Sequence, residues 1–280
     1  MVAGLSGYYW PRRMVLGYRT YLFCVLLFFS TPLFTAKVFA GTGVTPPAGT
    51  LRVAIAAEDY PPFYYQNFDG EMDGFSVRVL QALSAQLQLS LNWQRLPWNR
   101  VVHHLEMGRA DLVLVMYHSD SRSERFLFSD ISYLQDGIVL VCYRVCKVSL
   151  SDNMAELADN ELALVRGFSY GQVLDALPLN AVTMVESDTL LLNLLSHGRL
   201  QLGIASYLTV SRAPLMQQQS PPLEILLPFL AVVDIYFAFS RHSALSLAQM
   251  QAFNQALIDF VQSPDYRALR AEFQLDLPDD

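Results

Sequence analysis

Cysteine is scarce in this sequence, and its scarcity limits covalent cross-linking. Only three of the 280 residues are cysteines, and Cys24 lies in an apolar N-terminal segment. At most one disulfide, between Cys142 and Cys146, is therefore available to the rest of the chain. Three residues separate these cysteines, so a bridge would close a small loop and require a bend. A bridge and two free thiols both remain open. No histidine or further cysteine lies nearby, so we expect no metal site.

Positive charge is also scarce once the N-terminus is set aside. The first 40 residues contain four basic residues and no acidic one. The remainder has 15 Lys and Arg against 26 Asp and Glu, a net charge of −11. Nucleic acids and anionic membrane surfaces attract basic proteins, so neither is an expected partner.

The sequence lacks the familiar motifs of catalysis and cofactor binding. It contains no nucleophile elbow, no phosphate-binding loop, no set of zinc ligands and no Gly-rich dinucleotide turn. The only pair of carboxylates in a candidate site loop is Glu58-Asp59. We therefore expect no catalytic residues, no cofactor and no enzymatic activity.

The N-terminus has the pattern of a secretory signal peptide over residues 1–40. Basic residues precede a short apolar run at 21–29, and small residues precede a cleavage site after Ala40. The run is shorter than the roughly 20 residues of a membrane span, although an uncleaved anchor stays an alternative. Residues 41–50 form a Gly/Pro/Thr linker, and no later segment is long and apolar enough to cross a bilayer. We expect a mature periplasmic protein that is not embedded in a membrane.

Hydrophobic periodicity predicts alternating strands and helices after this linker. Apolar residues recur every fourth position from Phe75 to Leu87, as on one face of a helix. Further helices are predicted at 98–107, 247–261 and 265–273, and strands at 51–57, 89–93, 111–116 and 235–240. This alternation is typical of an α/β fold with a largely parallel sheet.

The chain repeats two short patterns in the same order. Leu105–Leu112 and Leu195–Leu202 each read as a helix end, a glycine, an arginine and a strand. The strand 53–56 likewise has a counterpart at 162–165. Two lobes built from similar units would face each other with the loops at the carboxyl ends of their strands, and would close on a ligand by a hinge.

Several segments resemble the bacterial family 3 extracellular solute-binding proteins, the periplasmic binding proteins of polar amino-acid ABC transporters. The segments are DYPPFYY with DGEMDGF, PWNRVVHHLEMGRADLVL, SDSRSERFLFSDISY, RGFSYG, LLSHGRLQLGIAS and IYFAFSRHS. The resemblance implies a two-lobed α/β periplasmic binding protein fold of type II with two crossovers. Lobe 1 would comprise 51–142 plus 235–280, and lobe 2 would comprise 143–234. A bridge between Cys142 and Cys146 would then lie near the first crossover.

The resemblance also implies ligand-binding residues. Arg122 matches the arginine that clamps the ligand carboxylate, a task that suits the forked donors of a guanidinium. Tyr60 matches an aromatic ring over the ligand, and Ser169 matches a hydroxyl that meets the carboxylate. Trp98 belongs to an LPWNR motif of divergent members, and either lines the cleft or caps its helix.

Two matching positions depart from the family pattern. Tyr117 replaces a small hydroxyl residue, and Ser206 stands near the acid that would pair with a ligand ammonium. A buried ammonium without a partner is costly. Either Asp188 or Asp234 substitutes for this acid, or the ligand is not a standard α-amino acid.

The resemblance implies a monomeric protein that binds a small anionic or zwitterionic solute, with an ABC permease as a candidate partner. The expected ligand bears a carboxylate, as an amino acid or derivative does. Two alternatives share the fold: a sensor or interaction module without a transporter, and a periplasmic dehydratase.

Overall fold

A nine-stranded mixed sheet forms the centre of the computed structural model, which describes residues 49–278 except 145–156, 158–159, 176–180, 219–222 and 244. The strands in chain order are β1 (Gly49–Ala56), β2 (Tyr65–Gln66), β3 (Met72–Asp73), β4 (Leu89–Leu96), β5 (Leu112–Tyr117), β6 (Phe126–Phe128), β7 (Leu134–Tyr143), β8 (Glu161–Val165), β9 (Ala181–Val185), β10 (Leu202–Ser206) and β11 (Leu223–Ser240). Strands β2 and β3 form a separate hairpin.

Eight helices are described between these strands. They are α1 (Phe75–Gln86), α2 (Trp98–Glu106), α3 (Asp120–Arg125), α4 (Gln172–Asp175), α5 (Asp188–Ser196), α6 (Tyr207–Val210), α7 (Leu247–Val261) and α8 (Pro264–Glu272). A 3-10 turn spans Pro214–Gln217. Most predicted elements agree with these bounds within two residues. The exceptions are β4, which ends three residues after the predicted strand at 89–93, and β11, which begins 12 residues before the predicted strand at 235.

The sheet contains two similar groups of three parallel strands. Its order is β4, β1, β5, β11, β7, β10, β8 and β9, with β6 also paired to β11. In the first group β1 lies between β4 and β5, and in the second β8 lies between β9 and β10. The first, second and third strands of each group thus occupy the same relative positions. The internal repeat predicted from the sequence is present in this sheet.

The helix ends of the two repeats have the same geometry. Gly108 and Gly198 both have a φ of 66°, a left-handed conformation that glycine adopts without steric penalty. The next residue closes the turn in each repeat: Arg109 N–H donates to His104 C=O at 2.8 Å, and Arg199 N–H donates to Leu194 C=O at 3.0 Å. Each glycine therefore ends a helix and directs the chain into a central strand.

The long strands β7 and β11 join the two groups. Strand β11 pairs with β5 at its C-terminal end and with β7 along most of its length, all antiparallel. On its other side, strand β7 pairs antiparallel with β10. The predicted lobe boundary at 142–143 falls at the end of β7, and that at 234–235 falls inside β11. The division into lobes at these residues stays a prediction.

The described residues all belong to one compact unit, Val44–Asp280. Stacked aromatic rings fill the space between the sheet and helices α1, α7 and α8. The ring centroids of Tyr133 and Phe237 are 4.4 Å apart, and Phe253 meets Phe237 edge-on at 5.4 Å. Within the described ranges no helix is long and apolar enough to cross a membrane. The predicted signal peptide and nearly all of the linker lie outside the described residues.

Candidate functional site

A cavity of about 260 Å³ opens between the two groups of parallel strands. Its walls come from the segments after β1, β4, β8, β9 and β10. All five segments follow the carboxyl end of a parallel strand, where loops converge and ligands bind in α/β sheets. A smaller cavity of about 30 Å³ is lined by four of the same aromatic residues together with Val115, Tyr117, Arg122 and Ser169.

The four shared aromatic residues form the wall between these cavities. Tyr60 and Tyr64 follow β1, Trp98 begins α2, and Phe168 follows β8. The Phe168 ring lies edge-on to Tyr60, with centroids 6.0 Å apart, and to Trp98, with centroids 5.6 Å apart. Tyr60 and Trp98, which the sequence predicts as ligand-binding residues, therefore both lie at the cavity. Phe168 was not predicted, although it lies inside the quoted RGFSYG segment.

Trp98 and Arg122 both contact the carbonyl oxygen of Gly167. The Trp98 indole N–H donates to it at 3.0 Å, and an Arg122 N–H donates to it at 3.2 Å. A second Arg122 N–H donates to Tyr117 C=O at 2.9 Å. Burial lowers the pKa of Arg122 to about 10, so the guanidinium remains charged at neutral pH. Arg122 also lines the small cavity, where its positive charge could meet an anionic group.

Asp188 is a buried acidic residue whose carboxylate receives no hydrogen bond from the described residues. It lies in the first turn of α5, after Ser187, which caps the helix by accepting a hydrogen bond from Leu190 N–H at 3.2 Å. Its side chain is buried and lines the larger cavity. Neither carboxylate oxygen has a hydrogen-bond partner among the described residues. Burial, followed by repulsion from Asp136 and Glu58, raises the pKa of Asp188 to about 7.

Asp136 is a second buried carboxylate, but the protein itself satisfies it. It accepts hydrogen bonds from the Tyr117 hydroxyl at 2.8 Å, the Ser206 hydroxyl at 2.5 Å and Leu208 N–H at 3.1 Å. Burial raises its pKa to about 6, and these hydrogen bonds limit the rise. Tyr117 and Ser206 therefore support Asp136 in this structure, and Ser206 lines neither of the two cavities. Their predicted contacts with a ligand stay predictions.

The remaining predicted residues lie at different distances from the cavity. The Ser169 hydroxyl lines the small cavity and donates a short hydrogen bond to Asp175. Asp234 accepts from Gln135 at 3.1 Å and from Ser132 at 3.3 Å, away from the two cavities. Of the two proposed substitutes for the missing acid, the structure thus places Asp188 at the cavity. Cys142 is disulfide-bonded, whereas Cys146 lies outside the described residues, so their pairing stays a prediction.

Two ion pairs at the rim neutralise part of the acidic lining. Arg95 donates to Asp59 at 2.8 Å, and Arg166 donates to Glu186 at 3.0 Å. Glu58 lines the same cavity and forms no ion pair with the described residues. The sequence offered Asp188 as one of two candidate acids but gave no sign of the Asp136 network. The motif ESD directly after a strand reads as a helix cap, and only burial distinguishes its aspartate.

A family model that describes bacterial extracellular solute-binding proteins, family 3, matches residues 51–274. The chain belongs to this family. The match covers almost every element of the described fold, including both repeats and both long strands. The resemblance inferred from the sequence motifs is therefore confirmed for the family and for the two-lobed α/β fold.

Curated relatives of this solute-binding protein include two bacterial binding proteins. The L-cystine-binding protein TcyJ of Escherichia coli strain K12 is 31% identical over 99 residues, which cover 34% of this chain and 37% of TcyJ. A protein of Neisseria gonorrhoeae named "Probable histidine-binding protein" is 29% identical over 122 residues, covering 43% of this chain and 44% of that protein. The aligned segment thus spans less than half the length of each relative.

Solved structures share the fold at lower identity. An ancestral arginine-binding protein bound to arginine superposes with a TM-score of 0.68 at 18% identity, covering 80% of this chain and 98% of that protein. At this identity the likeness defines the fold, while the ligand must be argued from the cavity itself.

Proposed function

We propose that this solute-binding protein captures a small amino-acid-type solute in the cavity and delivers it to an ABC-type permease. The observation that carries the proposal is Asp188, a buried carboxylate at the cavity with no partner among the described residues. A buried carboxylate is unfavourable until a cation pairs with it. The ammonium group of an amino acid supplies such a cation.

Arg122 supports the other half of the proposal. Its charged guanidinium lines the small cavity that adjoins the larger one. A carboxylate that replaced the Gly167 or Tyr117 carbonyl as acceptor would gain a charge-assisted hydrogen bond. The two ends of an amino acid would then meet Asp188 and Arg122, while its side chain lies among the rings of Tyr60, Trp98 and Phe168.

The periplasmic location and the absence of catalysis belong to the same proposal. The basic, apolar and small-residue pattern of residues 1–40 supports export. The family model describes solute-binding proteins, which supports a binding role. Release of a dehydration product from cyclohexadienyl acids would contradict a purely binding role.

A thermal-shift screen with the 20 amino acids tests this function. At 100 times its Kd, a ligand stabilises the folded protein by about 2.7 kcal/mol, which raises the Tm of a protein of this size by roughly 5–10 °C. We expect at least one amino acid to produce this shift, and Asp188→Asn to weaken its binding at least about 30-fold through loss of a charged hydrogen bond.

Asp69→Asn is the matched control, because Asp69 is an exposed residue of the β2–β3 turn. It makes the same chemical change away from the cavity and should retain wild-type binding. If no amino acid shifts the Tm of the wild-type protein, the proposed function is wrong. If Asp188→Asn binds as tightly as the control, the assignment of the ammonium site is wrong.

A further inference from the structure

The charges that remain unpaired at the cavity define the solute more narrowly. Four acidic residues line the larger cavity: Glu58, Asp59, Glu186 and Asp188. Ion pairs with Arg95 and Arg166 engage Asp59 and Glu186. Two carboxylates at this cavity, those of Glu58 and Asp188, thus have no ion pair among the described residues.

These two carboxylates are close enough to repel each other. The charge of Glu58 contributes to the raised pKa of Asp188, after burial and Asp136. Like charges at a shared site destabilise each other until a cation lies between them or one carboxylate is protonated. The exposed position of Glu58 and the buried position of Asp188 place the negative charge both at the entrance and inside the cavity.

The single charged group of opposite sign at the adjoining cavity is Arg122. It forms no ion pair within the described ranges, and two of its N–H groups donate to the backbone carbonyls of Tyr117 and Gly167. The negative charge of Asp175 lies close enough to interact with Arg122, and it lowers the positive potential at the small cavity. Together, Glu58, Asp188 and Arg122 present two negative charges and one positive charge to a bound solute.

We infer that the cavity selects a basic amino acid, with a net charge of +1 and a second cationic group at the end of its side chain. This inference rests on the proposed function and deepens it. The α-ammonium and the side-chain cation would meet the two carboxylates, and the α-carboxylate would meet Arg122. The apolar stem would lie against the aromatic rings, whose faces also attract a cation.

A neutral amino acid complements the site less well, because its one ammonium leaves a carboxylate unpaired. A diamine would match both carboxylates and leave Arg122 without an anion. The charge pattern therefore favours a solute with two cationic groups and a carboxylate over a neutral amino acid or a diamine.

Isothermal titration of the full-length mature protein with matched pairs of solutes tests the inference. L-lysine is compared with L-norleucine, its neutral counterpart, and L-arginine with L-citrulline. We expect at least one basic amino acid to bind about tenfold or more tightly than its neutral counterpart. Cadaverine, which retains both cations of lysine without the carboxylate, should bind at least tenfold more weakly than lysine.

Variants assign the effect to the cavity. Glu58→Gln should reduce the preference for a basic amino acid over its neutral counterpart at least about threefold, because one of the two carboxylates loses its charge. Its side chain is exposed, so the protein should fold normally. Glu71→Gln, an exposed carboxylate of the β2–β3 hairpin with the same change in net charge, should retain the full preference.

The possible failures are distinguishable. Neutral amino acids that bind as tightly as basic ones would overturn the inference and leave the proposed function intact. Cadaverine that binds as tightly as lysine would overturn the need for the carboxylate, and with it the inference. Absence of binding by all amino acids would overturn the proposed function as well.

Discussion

Asp188 and Asp136 show how two buried aspartates acquire different roles. Both side chains are buried, and burial raises the pKa of each. Asp136 accepts three hydrogen bonds from the protein, whereas the oxygens of Asp188 have none among the described residues. A hydrogen-bonded carboxylate stabilises the fold around it, and one without partners is available to a ligand.

Asp188 makes the stability of the ligand-free protein depend on pH. Its folded pKa of about 7 exceeds its ordinary value of 3.8, so the folded protein binds the additional proton. The resulting stabilisation is complete below about pH 4 and is lost as pH rises through 7. Compared with Asp188→Asn, the wild-type unfolding free energy should fall by up to about 1.4 kcal/mol per pH unit over this range.

Urea unfolding of both proteins at several pH values between 4 and 8 measures this difference. Asp136, whose folded pKa is also raised, contributes a slope of the same sign to both proteins, so the difference between the two curves reports Asp188 together with its repulsion from Asp136. Parallel curves for wild type and variant would show that Asp188 does not titrate in this range.

At the scale of elements, the aromatic loop after β1 is held against the start of helix α1. Phe75 N–H donates to Pro62 C=O at 2.8 Å, and Ser76 N–H donates to Phe63 C=O at 3.0 Å. Gly74 permits this approach, with a φ of 120°. A Cβ atom at Gly74 would lie 2.5 Å from the Phe63 carbonyl oxygen. The position of Tyr60 at the cavity thus depends on a glycine 14 residues later.

Gly74→Ala should destabilise the protein by about 3 kcal/mol or more, because backbone strain and a clash with the main chain add together. Gly70→Ala is the matched control: it also has a positive φ, of 80°, but its Cβ would meet no atom within 4 Å. We expect a cost of only about 1–2 kcal/mol there. Equal costs in urea unfolding would show that close approach to Phe63 is unimportant.

At the scale of the whole molecule, the described site already joins the two groups of strands. Trp98 follows β4 in the first group, Gly167 follows β8 in the second, and a hydrogen bond of 3.0 Å connects them. Arg122 reaches the same carbonyl. Closure around a ligand stays a prediction. An opening motion that separated the two groups of strands would break the hydrogen bonds of Trp98 and Arg122 to the Gly167 carbonyl.

Trp98→Phe should weaken ligand binding about 3–10-fold, because it keeps an aromatic ring and removes one hydrogen bond across the site. The radius of gyration of the ligand-free protein, measured by small-angle scattering, should increase. Trp93→Phe on β4 removes a tryptophan outside both cavities and should change neither quantity. Identical behaviour of the two variants would mean that the Trp98 hydrogen bond does not favour the closed form.

The sequence alone determined the family, the two repeats and the longer helices α1, α2, α7 and α8, but it did not predict the long strand β7. These features follow from local patterns: the apolar spacing from Phe75 to Leu87, the glycines at 108 and 198, and the quoted motifs. Each depends on residues that are near one another in the chain. Strand β11 was located only in part, because the segment before residue 235 is stabilised by pairing with β7 rather than by its own pattern.

Only the tertiary structure decided which of the two candidate acids lines the cavity. The sequence offered Asp188 and Asp234 equally, and it could not show that Ser206 supports Asp136 across 70 residues of chain. The consequence of an aspartate depends on whether distant segments bury it and whether they donate hydrogen bonds to it. Those contacts form when the strands assemble, so Asp188 is left exposed to the cavity by the fold as a whole.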